Sequence, residues 1–114
     1  MAMLIEERVY TCVPGKLREY LSVYQTHGVA VHVEILGNWL GCYVSEVGNL
    51  NQVVHLWGYK NFEDRLDRRA RLAEDPRWRN YLKEAAGLVT HQENRILQPA
   101  PFTPAAISLR PVFV

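Results

Sequence analysis

Residues Asn51–Tyr59, reading N-Q-V-V-H-L-W-G-Y, constrain the fold more than any other stretch of the chain. In an extended segment successive side chains point to opposite faces, so Val53, His55, Trp57 and Tyr59 share one side and Val54, Leu56 and Gly58 the other. A strand with an aromatic, histidine-bearing side and an aliphatic side belongs in a sheet with both faces covered. The sequence assigns the aliphatic side to a layer of helices and the aromatic side to a cavity or a second subunit.

The 114 residues, 48 % hydrophobic and 22 % charged, suffice for one domain with a real core. Thirteen basic residues against twelve acidic ones give a formal charge of +1, without the basic field that nucleic acid or an anionic membrane surface requires. No run approaches the roughly 20 apolar residues of a membrane span. The start Met-Ala-Met-Leu-Ile-Glu-Glu-Arg shows no basic, then apolar, secretory pattern, which makes the cytoplasm the expected compartment. Cys12 and Cys42, each inside an apolar strand-like run, read as reduced thiols.

In chain order, Leu4–Val13 is the first strand, with Glu6, Arg8 and Tyr10 on one face and Ile5, Val9, Thr11 and Val13 on the other. The polar face implies either an ion pair within the sheet or a place in a cavity. Pro14 suits the first turn of a helix carrying Leu17, Tyr20, Leu21 and Tyr24 at amphipathic spacing. After Gly28, Val29–Leu36 fits both a strand alternation and a helical wheel in which Val29, His32, Val33 and Leu36 share a side.

Trp39–Val47 and Asn51–Tyr59 form a hairpin around Gly48-Asn49. A three-residue loop sets Tyr43 opposite His55, Gly41 opposite Trp57 and Trp39 opposite Tyr59. A two-residue loop sets Cys42 opposite His55. The first is preferred, because Gly41 would make room for the Trp57 indole. Asn61 caps the next helix, whose apolar stripe is Phe62, Leu66, Ala70 and Ala73, and Asp75-Pro76 opens another carrying Trp78, Tyr81, Leu82 and Ala85 to Gly87. Arg65, Arg68, Arg69, Arg71, Arg77 and Arg79 are opposed by Glu63, Asp64, Asp67, Glu74 and Asp75, which reads as a solvated, salt-bridged helix face rather than a phosphate site. Leu88–Leu97 is the fourth strand, with His91, Glu93 and Arg95 on one face. The tail 98–114, with four of the six prolines and a final apolar cluster, reads as an extended arm on the domain or on a partner subunit, which leaves 1–97 as the folded domain.

The order β-α-β-β-α-β predicts an α+β, ferredoxin-like fold with a four-stranded antiparallel sheet and two helices on one face. With His55, Trp57 and Tyr59 assigned to the open face, burying them calls for a homodimer packed sheet to sheet.

The chain resembles the NIPSNAP family. The resemblance rests on Glu6-x-Arg8-x-Tyr10-Thr11, Pro14-Gly15-Lys16-Leu17, Gly41-x-Tyr43-x-Ser45-Glu46-Val47-Gly48, Asn51–Trp57 with Tyr59, Arg68-Arg69-Ala70, Asp75-Pro76-x-Trp78 and Gln92–Leu97. It implies a dimeric α/β barrel, and it implies that Gly28–Leu36 continues the first helical region. Eukaryotic members carry mitochondrial leaders and are linked to vesicle and mitochondrial biology, whereas this chain looks like a small bacterial member of unassigned activity. The wider superfamily includes cofactor-free monooxygenases, isomerases and haem enzymes, an analogy at the level of fold.

Two functional readings follow. In the first, a cavity at the sheet face binds a small molecule or performs cofactor-free chemistry. His55 is then the candidate general base, because its unperturbed pKa of about 6.5 lies near physiological pH. Tyr43, Trp57 and Tyr59 form walls, and Arg8, Glu6, Tyr10 and Glu93 are further polar groups. In the second, the same residues are the core of a dimeric interaction module without chemistry. His27, His32, His55 and His91 are scattered and no cysteine cluster exists, so no metal or cofactor is expected; one axial histidine for haem is the remaining variant. Nucleotide loops and a serine nucleophile elbow are absent from the sequence.

Overall fold

In the computed structural model, which describes residues 3–104, the chain runs β1 (Leu4–Cys12), α1 (Leu17–Val23), a π turn (Tyr24–Gly28), α2 (Val29–Leu36), β2 (Asn38–Val44), β3 (Gln52–Tyr59), α3 (Phe62–Glu74), α4 (Pro76–Glu84) and β4 (Val89–Leu97). The strands form one antiparallel sheet in the order β2-β3-β1-β4, the ferredoxin-like arrangement, with every helical segment on one face. No helix of the described residues is long and apolar enough to cross a membrane.

Local chemistry sets most boundaries. Pro14-Gly15 does not begin a helix: Lys16 N–H closes a turn on the Val13 carbonyl at 2.8 Å, with Gly15 at φ +86°, and α1 starts only at Leu17. Asn61 caps α3 by accepting from Asp64 N–H at 2.8 Å, and Asp75 caps α4 by accepting from Arg77 N–H at 2.8 Å, with Pro76 at the first position. Residues 29–36 are helical, as the resemblance implied and against the strand alternation.

The hairpin departs from the preferred register. Cys42 pairs with His55, the alternative of the two registers, and Tyr43 with Val54; a bulge at Leu40 then shifts the ladder by a further residue, so that Trp39 pairs with Trp57. Gly41 follows the bulge at φ +148°, a conformation that a side chain strains, and a Cβ there would lie 2.7 Å from the Tyr43 ring. The glycine therefore makes room for Tyr43 and not for Trp57.

The faces of the sheet are also opposite to expectation. Val53, His55, Trp57 and Tyr59 are all buried, against the helices, together with Leu4, Glu6 and Cys12 of β1. Val54 and Leu56 lie on the open face with Ile5, Glu7 and Val9. The reason is polar: His55 and Glu6 need buried partners, and on this face the helices add Tyr20 for His55 and Arg65 for Glu6 to the strand residues Arg8, Tyr59 and Asn94. The inversion extends to α3, whose inward face is Arg65, Arg68, Arg69 and Leu72, whereas Phe62 and Leu66 of the apolar stripe are 56 % and 63 % exposed. The arm read into 98–114 is described only as far as a turn closed by Thr103 N–H on the Ala100 carbonyl; residues 105–114 lie outside the described residues.

Candidate functional site

The helical layer meets β1 and β3 through rings. Tyr20, Tyr24, Gly28 and His32 recur at every fourth position of one helical run. In a regular α-helix each step of four overshoots a full turn by about 40°, so such a row drifts around the axis. The π turn at Tyr24–Gly28 is wider, undershoots, and takes back part of that drift. Tyr20, Tyr24 and His32 thereby all face the sheet, and all three are buried. Gly28 completes the row, because a Cβ there would lie 2.8 Å from the Tyr81 ring and 2.9 Å from the Tyr24 ring.

Two tyrosine–histidine pairs result. Tyr20 Oη lies 3.0 Å from His55 Nε2, and Tyr24 Oη lies 2.7 Å from His32 Nδ1. The His32 ring sits between two indoles, with centroids 4.4 Å from Trp57 and 4.3 Å from Trp78. His55 is 0 % and His32 1 % exposed, and their second nitrogens, His55 Nδ1 and His32 Nε2, have no hydrogen-bond partner among the described residues. Burial holds His55 down at about 4, helped by the charge of Arg8. Burial holds His32 at about 2, helped by His55, Arg69 and Arg8. Both imidazoles are therefore neutral at physiological pH, each with one N–H donor and one acceptor nitrogen. Burial likewise pushes the Tyr20 and Tyr24 hydroxyls up, and Tyr81 to about 12, so all three stay protonated.

A cavity of about 220 Å³ opens against this cluster. Tyr10, Tyr20, Tyr24, His32, Trp78 and Tyr81 wall it, and its remaining lining is aliphatic or small apart from Gln92; none of these residues carries a formal charge. His55 is not part of the lining and meets the cavity only through Tyr20.

Beside it lies the one buried ionic cluster among the described residues. Glu6, 0 % exposed, accepts from Arg8 Nη1 at 2.9 Å, Arg65 Nη2 at 2.8 Å, Asn94 Nδ2 at 2.8 Å and Tyr59 Oη at 3.3 Å, with Arg69 Nη1 at 3.8 Å. Burial alone would raise its pKa, yet the bonds from Arg65 and Asn94 and the charges of Arg8 and Arg69 hold it at about 2. Arg8 Nε also donates to Tyr10 Oη at 3.0 Å, which ties the cluster to the cavity wall.

Of the residues singled out from sequence, His55, Trp57, Tyr59, Glu6, Arg8 and Tyr10 come together on the helix side. Tyr43 and Glu93 do not: Tyr43 pairs with Val54 and Glu93 with Val9 on the open face, and Tyr43 is 56 % exposed. Tyr20, Tyr24, His32, Tyr81, Arg65, Arg69 and Asn94 were missed as site residues; the fourfold spacing 20-24-28-32 was the available signal. The arginine face of α3 is only partly the solvated surface expected. Arg68 pairs with Asp64 and Arg71 with Asp67 along the helix, but Arg65 and Arg69 turn to Glu6.

The NIPSNAP family model matches residues 5–104, which contain both clusters. The chain belongs to the NIPSNAP family. Human protein NipSnap homolog 3A is 33 % identical over 100 residues, covering 85 % of this chain and 39 % of that protein. The NipSnap homolog of Dictyostelium discoideum is 34 % identical over 94 residues, covering 82 % of this chain and 41 % of its own length. The chain thus spans about two fifths of the curated relatives it matches. A NIPSNAP family protein from Agrobacterium tumefaciens superposes with a TM-score of 0.87 at 44 % identity, over 90 % of this chain and 97 % of that one. A NIPSNAP-like domain protein from Burkholderia xenovorans gives 0.89 at 38 % identity, over 98 % and 95 %. A putative antibiotic biosynthesis monooxygenase from Chloroflexus aurantiacus, at 10 % identity and TM-score 0.58, shares the fold.

Proposed function

We propose that this NIPSNAP protein binds a small organic molecule whose buried part is an uncharged ring, held in the cavity between the helices and the sheet. The carrying observation is a cavity of about 220 Å³ walled by six ring side chains with no formal charge in its lining. An apolar cavity of about 150 Å³ accommodates benzene, so this one takes a single ring with a polar substituent. An apolar pocket with few convergent polar groups is the usual form of a ligand site. The Tyr24–His32 pair offers that substituent a neutral hydrogen-bonding partner at the cavity wall. His55, neutral and bonded to Tyr20, supports the polarity of the wall rather than direct proton abstraction, so the reading is binding and not base catalysis. Phenol should bind saturably in calorimetric titration, and Ala86→Leu, an exposed substitution at the cavity lining, should weaken it about tenfold or more. No heat from phenol or indole at millimolar concentration would overturn the reading and leave the interaction module.

We also infer that the open sheet face is covered by a second copy of the chain. His55, Trp57 and Tyr59 are buried by the helices and call for no partner. Ile5, Val9, Val54 and Leu56, all incompletely buried, beside exposed Tyr43, support the second copy. Sedimentation equilibrium should give a two-chain mass that Leu56→Glu reduces to one; a one-chain wild type at micromolar concentration would refute the dimer.

A further inference from the structure

We propose that the ligand of the aromatic cavity carries a carboxylate that the Arg8–Arg65–Arg69 cluster receives; this rests on the cavity being a binding site. Three guanidinium groups surround one carboxylate, and their side chains are only 15 %, 20 % and 23 % exposed. Glu6 compensates one of these charges and leaves two. Buried charge without a counter-charge is costly, so a surplus of this kind favours an incoming anion. The neighbouring acids do not supply it. Asp64 is engaged with Arg68 at 2.8 Å, and Glu7 pairs with Arg95 at 2.7 Å on the open face.

Donors remain as well as charge. Arg65 Nε and Arg69 Nη1 have no hydrogen-bond partner among the described residues, and Arg69 approaches Glu6 only at 3.8 Å. Guanidinium forks match the two oxygens of a carboxylate.

The sheet register places this cluster next to the cavity. Tyr10, in the cavity wall, pairs with Gln92, which also lines the cavity; Arg8 pairs with Asn94, which donates to Glu6. Gln92 and Asn94 are exposed, lie on the same face of edge strand β4, and are two residues apart, about 7 Å. A ligand with its ring in the cavity would reach the arginines through a short linker that carries an acid past Gln92. The class is therefore a ring carrying a short-chain carboxylic acid, with the charge kept outside the uncharged cavity.

Titration of the full chain with 3-phenylpropanoate and with its uncharged counterpart 3-phenylpropan-1-ol tests this. The acid should bind at least about tenfold more tightly at low ionic strength, with the advantage shrinking as salt screens the charges. Arg69→Gln, at the arginine that makes no hydrogen bond to Glu6, should remove the advantage and leave the affinity for the alcohol unchanged. Equal affinities for acid and alcohol in the wild type overturn the carboxylate while leaving the cavity reading intact. Binding of neither overturns both. An advantage that persists in both Arg69→Gln and Arg65→Gln overturns the arginine cluster as its source.

Discussion

Glu6→Gln should destabilise the protein by about 3 kcal/mol or more, because it removes the only carboxylate from a cluster of three partly buried guanidinium groups. Glutamine keeps the shape and one acceptor oxygen, so the loss reports charge rather than volume. Glu7→Gln provides the contrast on the same strand. Its carboxylate holds Arg95 on the open face, where the arginine side chain is 68 % exposed, and such a pair contributes under about 1 kcal/mol. Urea unfolding of the two variants beside the wild type measures both effects. Equal, small losses would mean that solvent or another anion already balances the arginines.

Acid should unfold the protein early. The two buried histidines have folded-state values of about 4 for His55 and about 2 for His32, both below 6.5. A depressed histidine contributes full stability above pH 6.5. Below it the unfolded chain takes up a proton that the folded chain refuses, so stability falls with pH, for His55 as far as about 4 and for His32 to about 2. Each histidine costs about 1.4 kcal/mol per pH unit in this window, so roughly 4 kcal/mol is lost between pH 6.5 and 5. Glu6, at about 2 against 4.5, adds a further loss only below pH 4.5. Denaturant unfolding between pH 7.5 and 5 measures the slope, and His32→Gln should halve it. A flat profile would mean that the histidines are not held neutral.

The alternation of Asn51–Tyr59 identified a central strand and the two residue sets on its faces, because strand periodicity is a backbone property. It could not say which set meets the helices. That choice depends on partners far away in sequence, Tyr20 for His55 and Arg65 for Glu6, and no local pattern names them. The same blindness made Phe62 and Leu66 look like the inner face of α3, when a buried carboxylate had drawn Arg65 and Arg69 inward. Register failed at the loop, where Cys42 rather than Tyr43 meets His55, and again at Leu40, where one bulge residue flips every side chain before it relative to those after it. Caps were legible at Asn61 and Asp75, since a cap is read from three neighbouring residues. The π turn was not, and without it the row Tyr20, Tyr24, His32 does not stand out as one wall.

The proposed ligand site lies between the helices and the sheet, behind neutral tyrosine–histidine pairs. A two-dimensional ¹H–¹⁵N spectrum followed during phenol titration locates it, because Trp78 lines the cavity and Trp39 and Trp57 do not. Binding there should give saturable shifts of the Trp78 indole and the Gly87 amide, both in the cavity lining, with the open-face amides of Tyr43 and Val54 unmoved. Shifts centred on Tyr43 and Val54, with Trp78 and Gly87 unchanged, would contradict it.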